Sequence, residues 1–188
     1  MSEKTRGAGA LGFVAGFLFA VAVIVVAGFV YLKMGHLPVA ASDPAFPMEK
    51  QIVHVPMKAR IEREMQTPPI AADEANFEAG AHIYKAECSH CHGVPGQAVD
   101  YAKWMYPSAP QLWQKHKNGA VGVSDDEAGE TFWKVKNGLR LTGMPAYQKL
   151  LSETQMWQVS LLLKNADQNL SPAVQEILNN DEAVPAVH

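Results

Sequence analysis

Residues 87 to 93 read Glu-Cys-Ser-His-Cys-His-Gly, and this stretch decides which chemistry the rest of the chain must support. It contains both cysteines of the chain, Cys88 and Cys91, and two of its seven histidines, His90 and His92. Two cysteines cannot make a disulfide framework, and at this spacing they would close only a small, strained ring. Three chemistries use such a stretch: a structural zinc site, a redox-active dithiol, and the covalent attachment of a haem.

The first two chemistries need partners that the sequence does not supply. A structural zinc site has four Cys or His ligands, commonly in two spaced pairs. The other histidines, such as His54, His82 and His116, are scattered and form no HxxxH pair. A thioredoxin-like dithiol lies at the start of a helix in a strand-helix-strand setting, whereas this CxxC follows a predicted helix.

The third chemistry matches the motif itself, because CxxCH is the attachment signature of c-type haem. The two thiols add to two vinyl groups on one porphyrin edge, and the next histidine is then held beneath the iron. We therefore predict Cys88 and Cys91 as thioether anchors and His92 as an iron ligand. His90, between the cysteines, is predicted to face solvent without a chemical role.

A second iron ligand is predicted at Met144, within Gly143-Met144-Pro145. The proline fixes the backbone after the methionine, and the glycine allows close approach to a flat ligand. Methionines commonly fill cores, and this is the interpretation for Met156 on an apolar helix face. Met105, in an aromatic-rich loop, is the main rival, and His116 would instead give a bis-histidine haem.

An uncharged run from Leu11 to Leu32 predicts a transmembrane helix. At about 1.5 Å per residue the run is roughly 33 Å long, enough to cross a bilayer core of about 30 Å. A cleaved signal peptide would have an apolar stretch of about 7 to 15 residues. An uncleaved anchor is therefore the prediction, although Val39-Ala40-Ala41 would suit a cleavage site.

The flanking charges predict the orientation of this anchor. Lys4 and Arg6 precede it and Lys33 follows it, which places the N-terminus inside. The haem domain would then lie on the periplasmic side of a bacterial inner membrane. Gly12 and Gly16 form a GxxxG match that suits a second transmembrane helix, although small residues are common in all membrane helices.

The remaining chain predicts an all-α fold in four parts. Residues 1–34 are the anchor, and residues 35–72 are a proline-rich tether in which we expect only a short helix over 57–66. Residues 73–166 form a small helical domain, and residues 167–188 form a short helix and a loose tail. No segment shows sustained alternation of apolar and polar residues.

Capping signals place the helices of the domain. Asp73, Ser152 and Ser171 suit helix N-termini, the last with proline at the first helical position. A further capping box is predicted at Ser124-Asp125-Asp126-Glu127, and Asn137-Gly138 would stop the helix that it opens. Residues 93–123 are irregular, which suits a loop that wraps a bound group.

The span from about Asn76 to Asn165 resembles the monohaem cytochrome c domain of the class I type. The matching stretches are GAHIYKAECSHCHG, ETFWKVKNGLRLTGMPAY and SETQMWQVSLLLKNAD. The resemblance implies one covalent haem c and electron transfer. It also implies that the first and last helices cross near a glycine and aromatics, which correspond to Gly80, Tyr84 and Trp157, with Ser160 or Leu161 at the crossing.

The charge distribution suggests how a partner is recognised. Residues 73–188 are acidic overall, yet two segments that should frame the haem edge contain only basic charges: Lys103, Lys115 and Lys117 in the first, and Lys134, Lys136, Arg140 and Lys149 in the second. We expect a positive ring that steers an acidic redox partner, the alternative being solvated lysines and a cation that balances the propionates. No basic stripe of the kind that binds nucleic acid is present.

Three functional classes remain open from the sequence. The first is a membrane-tethered carrier that shuttles electrons between respiratory or dehydrogenase partners. The second is a fixed haem subunit of a larger membrane oxidoreductase. The third is an enzyme such as a peroxidase, which would need an open iron site and therefore a displaced or absent Met144. The first is the prediction and the second is its alternative.

Overall fold

The structure is a computed structural model that describes residues 3–116 and 118–180, with side chains described from Leu11 onward. Its described residues are helical and irregular and contain no strand, which confirms the all-α prediction. The α-helices are α1 (Glu3–Lys33), α2 (Glu49–Glu64), α3 (Glu74–Glu87), α4 (Ser89–His92), α5 (Ala128–Asn137), α6 (Glu153–Lys164) and α7 (Pro172–Asn179). Short 3-10 helices lie at Asp100–Trp104 and Tyr147–Lys149.

The chain divides into two compact units, residues 1–47 and residues 48–188. In the first unit, residues Leu11–Lys33 of α1 are long and apolar enough to cross a membrane, and none of this span is buried. This helix supports a single-pass membrane anchor. Beside Gly12 and Gly16 no atom lies within 4 Å of an added Cβ, so this face is open. The side chains of Lys4 and Arg6 lie outside the described residues.

The core of the second unit lies where α3 crosses α6. A Cβ added at Gly80 would lie 2.4 Å from the Gln158 carbonyl oxygen and 3.2 Å from the Leu162 Cβ. Only glycine therefore permits this approach of the two helices. The crossing thus involves Gln158 and Leu162 of α6, whereas the resemblance suggested Ser160 or Leu161, which are buried beside it.

Aromatic side chains fill the space between α5 and α6. Trp157 is fully buried, and its ring stacks on that of Phe132 with centroids 3.9 Å apart. Tyr84 of α3 is also fully buried, and Met156 lies in the core as predicted. α7 packs on α3 through Val174 and Leu178.

Most of the predicted helix ends are correct. Asp73 and Ser171 accept hydrogen bonds from backbone N–H groups of the helices they begin, and Ser152 forms both halves of a capping box with Gln155. α5 ends at Asn137, with Gly138 beyond it at φ 65°. The predicted tail, residues 181–188, lies outside the described residues.

The capping box predicted at Ser124 is wrong. α5 begins at Ala128, and its N-cap residue Glu127 makes no side-chain capping bond. The Ser124 hydroxyl instead accepts a hydrogen bond from the Val121 N–H at 3.0 Å, within a preceding turn. The hydroxyl satisfies this local turn, so the helix starts one turn later.

The predicted proline-rich tether contains a longer helix than we expected. α2 runs without interruption from Glu49 to Glu64 with Pro56 inside it, so the expected short helix over 57–66 covers only its second half. Proline removes a helical hydrogen bond and normally kinks or ends a helix. Here contacts with the rest of the domain compensate: Ile61 is buried, and the Trp133 indole N–H donates to the Glu64 carboxylate at 2.9 Å.

Candidate functional site

The CxxCH stretch folds as a helical turn directly after α3. Cys88 caps α3, and its carbonyl accepts hydrogen bonds from the Cys91 N–H at 3.2 Å and the His92 N–H at 3.0 Å. Residues three and four positions apart share one side of a helix. The turn therefore places both thiols and the His92 imidazole on one side, as the haem-attachment chemistry requires.

The His92 ring is held in one orientation by a backbone carbonyl. Its Nδ1 lies 2.7 Å from the Pro110 carbonyl oxygen. A carbonyl can only accept, so Nδ1 carries the proton and Nε2 keeps a lone pair for a metal. Burial lowers the pKa of His92, and the Pro110 bond opposes that effect only in part. The ring is therefore neutral at neutral pH and is a competent iron ligand.

Burial keeps the first cysteine protonated. It raises the pKa of Cys88 to about 12, and the nearby Glu87 and Cys91 add to the increase. The thiolate is the reactive form of a redox dithiol, so this environment is unlike that of thioredoxin-type motifs. Cys88 also packs against the core, where a covalent group on its sulfur would be shielded from water.

The irregular segment from residue 93 to 123 supports the motif through hydrogen bonds that the sequence did not reveal. The Gln111 side-chain amide donates to the Cys91 carbonyl at 3.0 Å, and its oxygen accepts from the Val99 N–H at 2.8 Å. The Leu112 N–H donates to the His92 carbonyl at 3.0 Å. The only sequence signal for these roles was the length of the loop.

Two buried tyrosines fix the ends of the motif. The Tyr84 hydroxyl donates to the Gly93 carbonyl at 2.7 Å, and the Tyr147 hydroxyl donates to the Glu87 carbonyl at 2.8 Å. Gly93 has φ 73°, a conformation that favours glycine, where the chain leaves the turn. The haem-attachment stretch is thus anchored on both sides to the helical core.

The Met144 loop is closed by its own hydrogen bonds. The Met144 N–H donates to the Thr142 hydroxyl at 3.1 Å, and that hydroxyl donates to the Leu139 carbonyl at 2.7 Å. A Cβ added at Gly138 would lie 2.7 Å from the Pro145 carbonyl carbon, because the loop returns across this glycine. Met144 itself is half-buried and packs against the core, so its thioether is held and not mobile in solvent.

The rivals of Met144 lie in different settings. The Met105 methyl group would be 3.0 Å from a Cβ at Gly143, so Met105 lies beside the Met144 loop. The Nε2 of His116 lies 2.9 Å from the Gly122 carbonyl oxygen, within the same turn of chain. His116 is therefore hydrogen-bonded within its own loop, whereas Met105 lies beside the loop that carries Met144.

Three buried side-chain polar atoms have no hydrogen-bond partner within the described residues: the indole nitrogens of Trp113 and Trp157 and one carboxylate oxygen of Glu87. The indole nitrogen of Trp113 is buried and makes no hydrogen bond within the described residues. Its ring packs edge-on against Tyr84 at 5.6 Å between centroids. A buried N–H without an acceptor is rare in proteins. Haem carries two propionate carboxylates, and a carboxylate oxygen would satisfy the Trp113 N–H.

The alternative chemistries find no support in the described part of the chain. No cluster of three His, Cys, Asp or Glu side chains within it could hold a metal ion. His90 is exposed, and only its backbone carbonyl contacts the Tyr101 hydroxyl. Zinc would therefore lack ligands beside the two cysteines.

The predicted basic ring is smaller than the sequence suggested. Lys134 is paired with Glu130 at 2.7 Å and with Asp126 at 3.2 Å, and only 21% of its side chain is exposed. Lys103 lies 3.6 Å from Asp100, which directly precedes the first basic segment, residues 101–120. Lys117 lies outside the described residues, so Lys115, Lys136, Arg140 and Lys149 remain as candidates.

Comparison with known families decides the class of the domain. Residues 75–161 match the family described as Cytochrome C oxidase, cbb3-type, subunit III. This part of the chain is a c-type cytochrome domain. A cytochrome c domain binds haem c covalently and carries electrons, so these residues indicate an electron carrier rather than a catalytic enzyme. The match covers just under half of the chain, and no curated protein matches it.

Proposed function

We propose that this cytochrome transfers electrons between membrane redox proteins on one haem c, attached through Cys88 and Cys91 and ligated by His92 and Met144. The observation that carries the proposal is the bond from His92 Nδ1 to Pro110, which leaves Nε2 free for iron. The sequence has cysteines for one such attachment. We assign the electron-transfer domain to residues 73–166, with α2 docked on it as an additional element.

The proposed ligands account for carrier chemistry. When bound, haem c supplies an iron that alternates between the ferric and ferrous states. His92 and Met144 would together hold the iron and would leave no open position for a substrate. Thioether ligation favours ferrous iron and raises the reduction potential. The surrounding Trp113, Tyr84 and Leu112 limit solvent access, which acts in the same direction.

Substitution of each methionine tests the ligand assignment. In Met144→Ala the weak red absorption band of methionine-ligated ferric haem should disappear and the reduction potential should fall, because axial ligands set potentials over a range of about 0.8 V. Met105→Ala is the matched control, since it removes a thioether beside the same loop, and it should keep both properties. The reverse pattern would make Met105 the ligand, and two unchanged spectra would exclude methionine ligation.

We place the haem domain on the periplasmic side of a bacterial inner membrane. The support is the basic flank before the apolar helix, together with attachment of haem c outside the cytoplasm, which the cytochrome resemblance implies. Protease added to intact spheroplasts should degrade the haem domain. Protection there, with degradation only after lysis, would reverse the orientation.

Redox partners are proposed to approach the exposed cations of the two basic segments. Arg140 is exposed on the Met144 loop, and Lys149 lies shortly after that loop. Electron-transfer rates with an acidic partner should fall as salt rises, and Arg140→Gln should reduce that slope. Lys134→Gln is the control, because this lysine is already paired with two carboxylates. Rates independent of salt would remove the steering hypothesis.

A second function is a fixed haem subunit of a larger membrane oxidoreductase. The name of the matching family and the GxxxG spacing of Gly12 and Gly16 in α1 favour it. Extraction from native membranes in a gentle detergent distinguishes the two functions. A free carrier elutes alone, whereas a fixed subunit elutes with other membrane proteins and is released when Gly16 is replaced by Leu.

A further inference from the structure

Helix α2 precedes the cytochrome domain in the chain, and a hydrogen bond near each of its ends joins it to that domain. Near its C-terminus, Glu64 accepts the Trp133 indole N–H at 2.9 Å. At its first residue, Glu49 accepts the Tyr106 hydroxyl at 3.0 Å. Trp133 belongs to α5, whereas Tyr106 lies in the irregular segment that follows the CxxCH stretch. α2 therefore bridges two separate segments of the domain.

The end of α2 lies directly on the first turn of α5. Ile61 is buried, and a Cβ added at Gly129 of α5 would overlap the Gln66 carbonyl oxygen and lie 3.0 Å from the Met65 Cγ. The chain that leaves α2 thus approaches the backbone of α5 closely. This contact fixes where α2 starts its course across the domain toward Tyr106.

Both bridged segments lead to the loop that carries Met144. This loop leaves α5 directly, because Gly138 follows the last residue of that helix. On the other side, Met105 immediately precedes Tyr106, and its methyl group would lie 3.0 Å from a Cβ at Gly143. The residue before the proposed iron ligand is therefore covered by the neighbour of the residue that α2 binds.

The Met144 loop contains a residue whose backbone needs support from its surroundings. Leu141 has φ 63°, a left-handed conformation that residues other than glycine rarely adopt, and its side chain is 91% exposed. Such a conformation persists only where the surrounding structure determines it. Because Leu141 buries almost none of its own side chain, contacts made by the rest of the loop must hold it, and the contact of Gly143 with Met105 is one of them.

We propose that α2 is a positioning element for Met144: it holds Tyr106, and with it Met105, against the loop that carries the ligand. α5 fixes the start of this loop, Met105 covers its centre, and α2 joins the two supports. Without the bond between Glu49 and Tyr106, the loop would open more often and the Met144 thioether would leave the iron more often. The inference rests on the proposed ligation by Met144.

The rate at which imidazole binds the full-length ferric holoprotein measures this opening, since imidazole can bind the iron only after Met144 has left it. In Tyr106→Phe we expect binding to be about five-fold faster, as the loss of one net hydrogen bond implies. Met105→Ala interrupts the same series of contacts and should also accelerate binding. Both variants should keep the red band of methionine ligation, because the open form remains a minor population.

Substitutions on α2 show whether the effect passes through this helix. The acceleration by Tyr106→Phe should disappear in a Glu49→Ala background, where the partner of the hydroxyl is already absent. It should persist in a Glu62→Ala background, the matched control, because that carboxylate is exposed on the same helix and pairs with Lys58 at 3.8 Å. Equal acceleration in the two backgrounds would overturn the proposal, as would a native rate in Tyr106→Phe.

Met144→Ala separates this inference from the ligand assignment on which it rests. With Met144 as the ligand, this variant should bind imidazole much faster than the native protein. If it does so while Tyr106→Phe keeps the native rate, only the positioning role of α2 fails. If Met144→Ala itself keeps the native rate, the ligand assignment fails and the inference fails with it.

Discussion

Helices α3 and α2 both pack on other helices of the second unit, but different forces hold them. α3 buries Gly80, Ala81, Ile83 and Tyr84, and its backbone nearly touches that of α6. α2 buries only Ile61 and is attached mainly by hydrogen bonds to aromatic side chains. Close packing of backbones tolerates almost no change, whereas polar contacts at a half-exposed surface can open locally. We therefore expect changes in α3 to unfold the domain and changes around α2 to release one helix.

The largest effect is expected from Gly80→Ala. The new Cβ would lie 2.4 Å from the Gln158 carbonyl oxygen, so α3 and α6 must move apart. We predict a net loss of about 2 kcal/mol in the free energy of unfolding, because overpacking outweighs the helix propensity gained with alanine. Denaturant unfolding of the holoprotein measures it. His82→Ala, at an exposed position of α3, is the control and should change stability by less than about 0.5 kcal/mol. Equal stability of the two variants would contradict the crossing.

A smaller and local effect is expected from Trp133→Phe. The variant keeps an aromatic ring but loses the indole N–H that binds Glu64. Amide hydrogen exchange should become several-fold faster in residues 49–64 and stay unchanged in α3. Tyr106→Phe removes the contact at the other end of α2 and should affect only the first turn. Faster exchange throughout the domain would show that α2 is part of the cooperative core.

The smallest effect is a change with pH in the protection of the α2 amides, and it arises from Glu64. The hydrogen bond from Trp133, then that from Arg63, lowers the pKa of Glu64 from 4.5 to about 2. A carboxyl group with a lowered pKa stabilises the folded form above pH 4.5, and this contribution is lost as the pH falls toward 2. Protection of α2 amides should decrease over that interval in the native protein and not in Glu64→Gln. Glu62→Gln, which removes only an exposed 3.8 Å pair with Lys58, should retain the dependence.

The difference between local contacts and contacts with distant segments also explains which features the sequence could predict. Asp73, Ser152, Ser171 and the Asn137–Gly138 stop are local signals, because each cap bonds to residues within one turn. CxxCH is likewise local, since its geometry is set within a single helical turn. The predicted caps are correct because no distant residue is needed to satisfy them, whereas the role of CxxCH in holding haem stays a prediction.

The unexpected length of α2 depends on contacts between distant segments, whereas the capping box at Ser124 failed because of a local turn with Val121. α2 persists through Pro56 because Trp133 and Tyr106, far along the chain, hold it in place. The pairing of Lys134 was missed for a different reason, since its partners Glu130 and Asp126 lie four and eight residues before it, just outside the basic segment that begins at Thr131. The supports of His92 at Pro110 and of Cys91 at Gln111 could not be recognised either, because a loop carries no periodic pattern that indicates which residue faces the motif.

The most direct test is a redox-titrated visible spectrum of the full-length protein purified from native membranes. We predict a low-spin c-type spectrum that titrates as one centre, with the weak red band of methionine ligation in the ferric form. The bands should stay with the polypeptide after acidic acetone extraction, because Cys88 and Cys91 hold the haem covalently. A high-spin ferric spectrum, or haem released by the extraction, would contradict the proposed site.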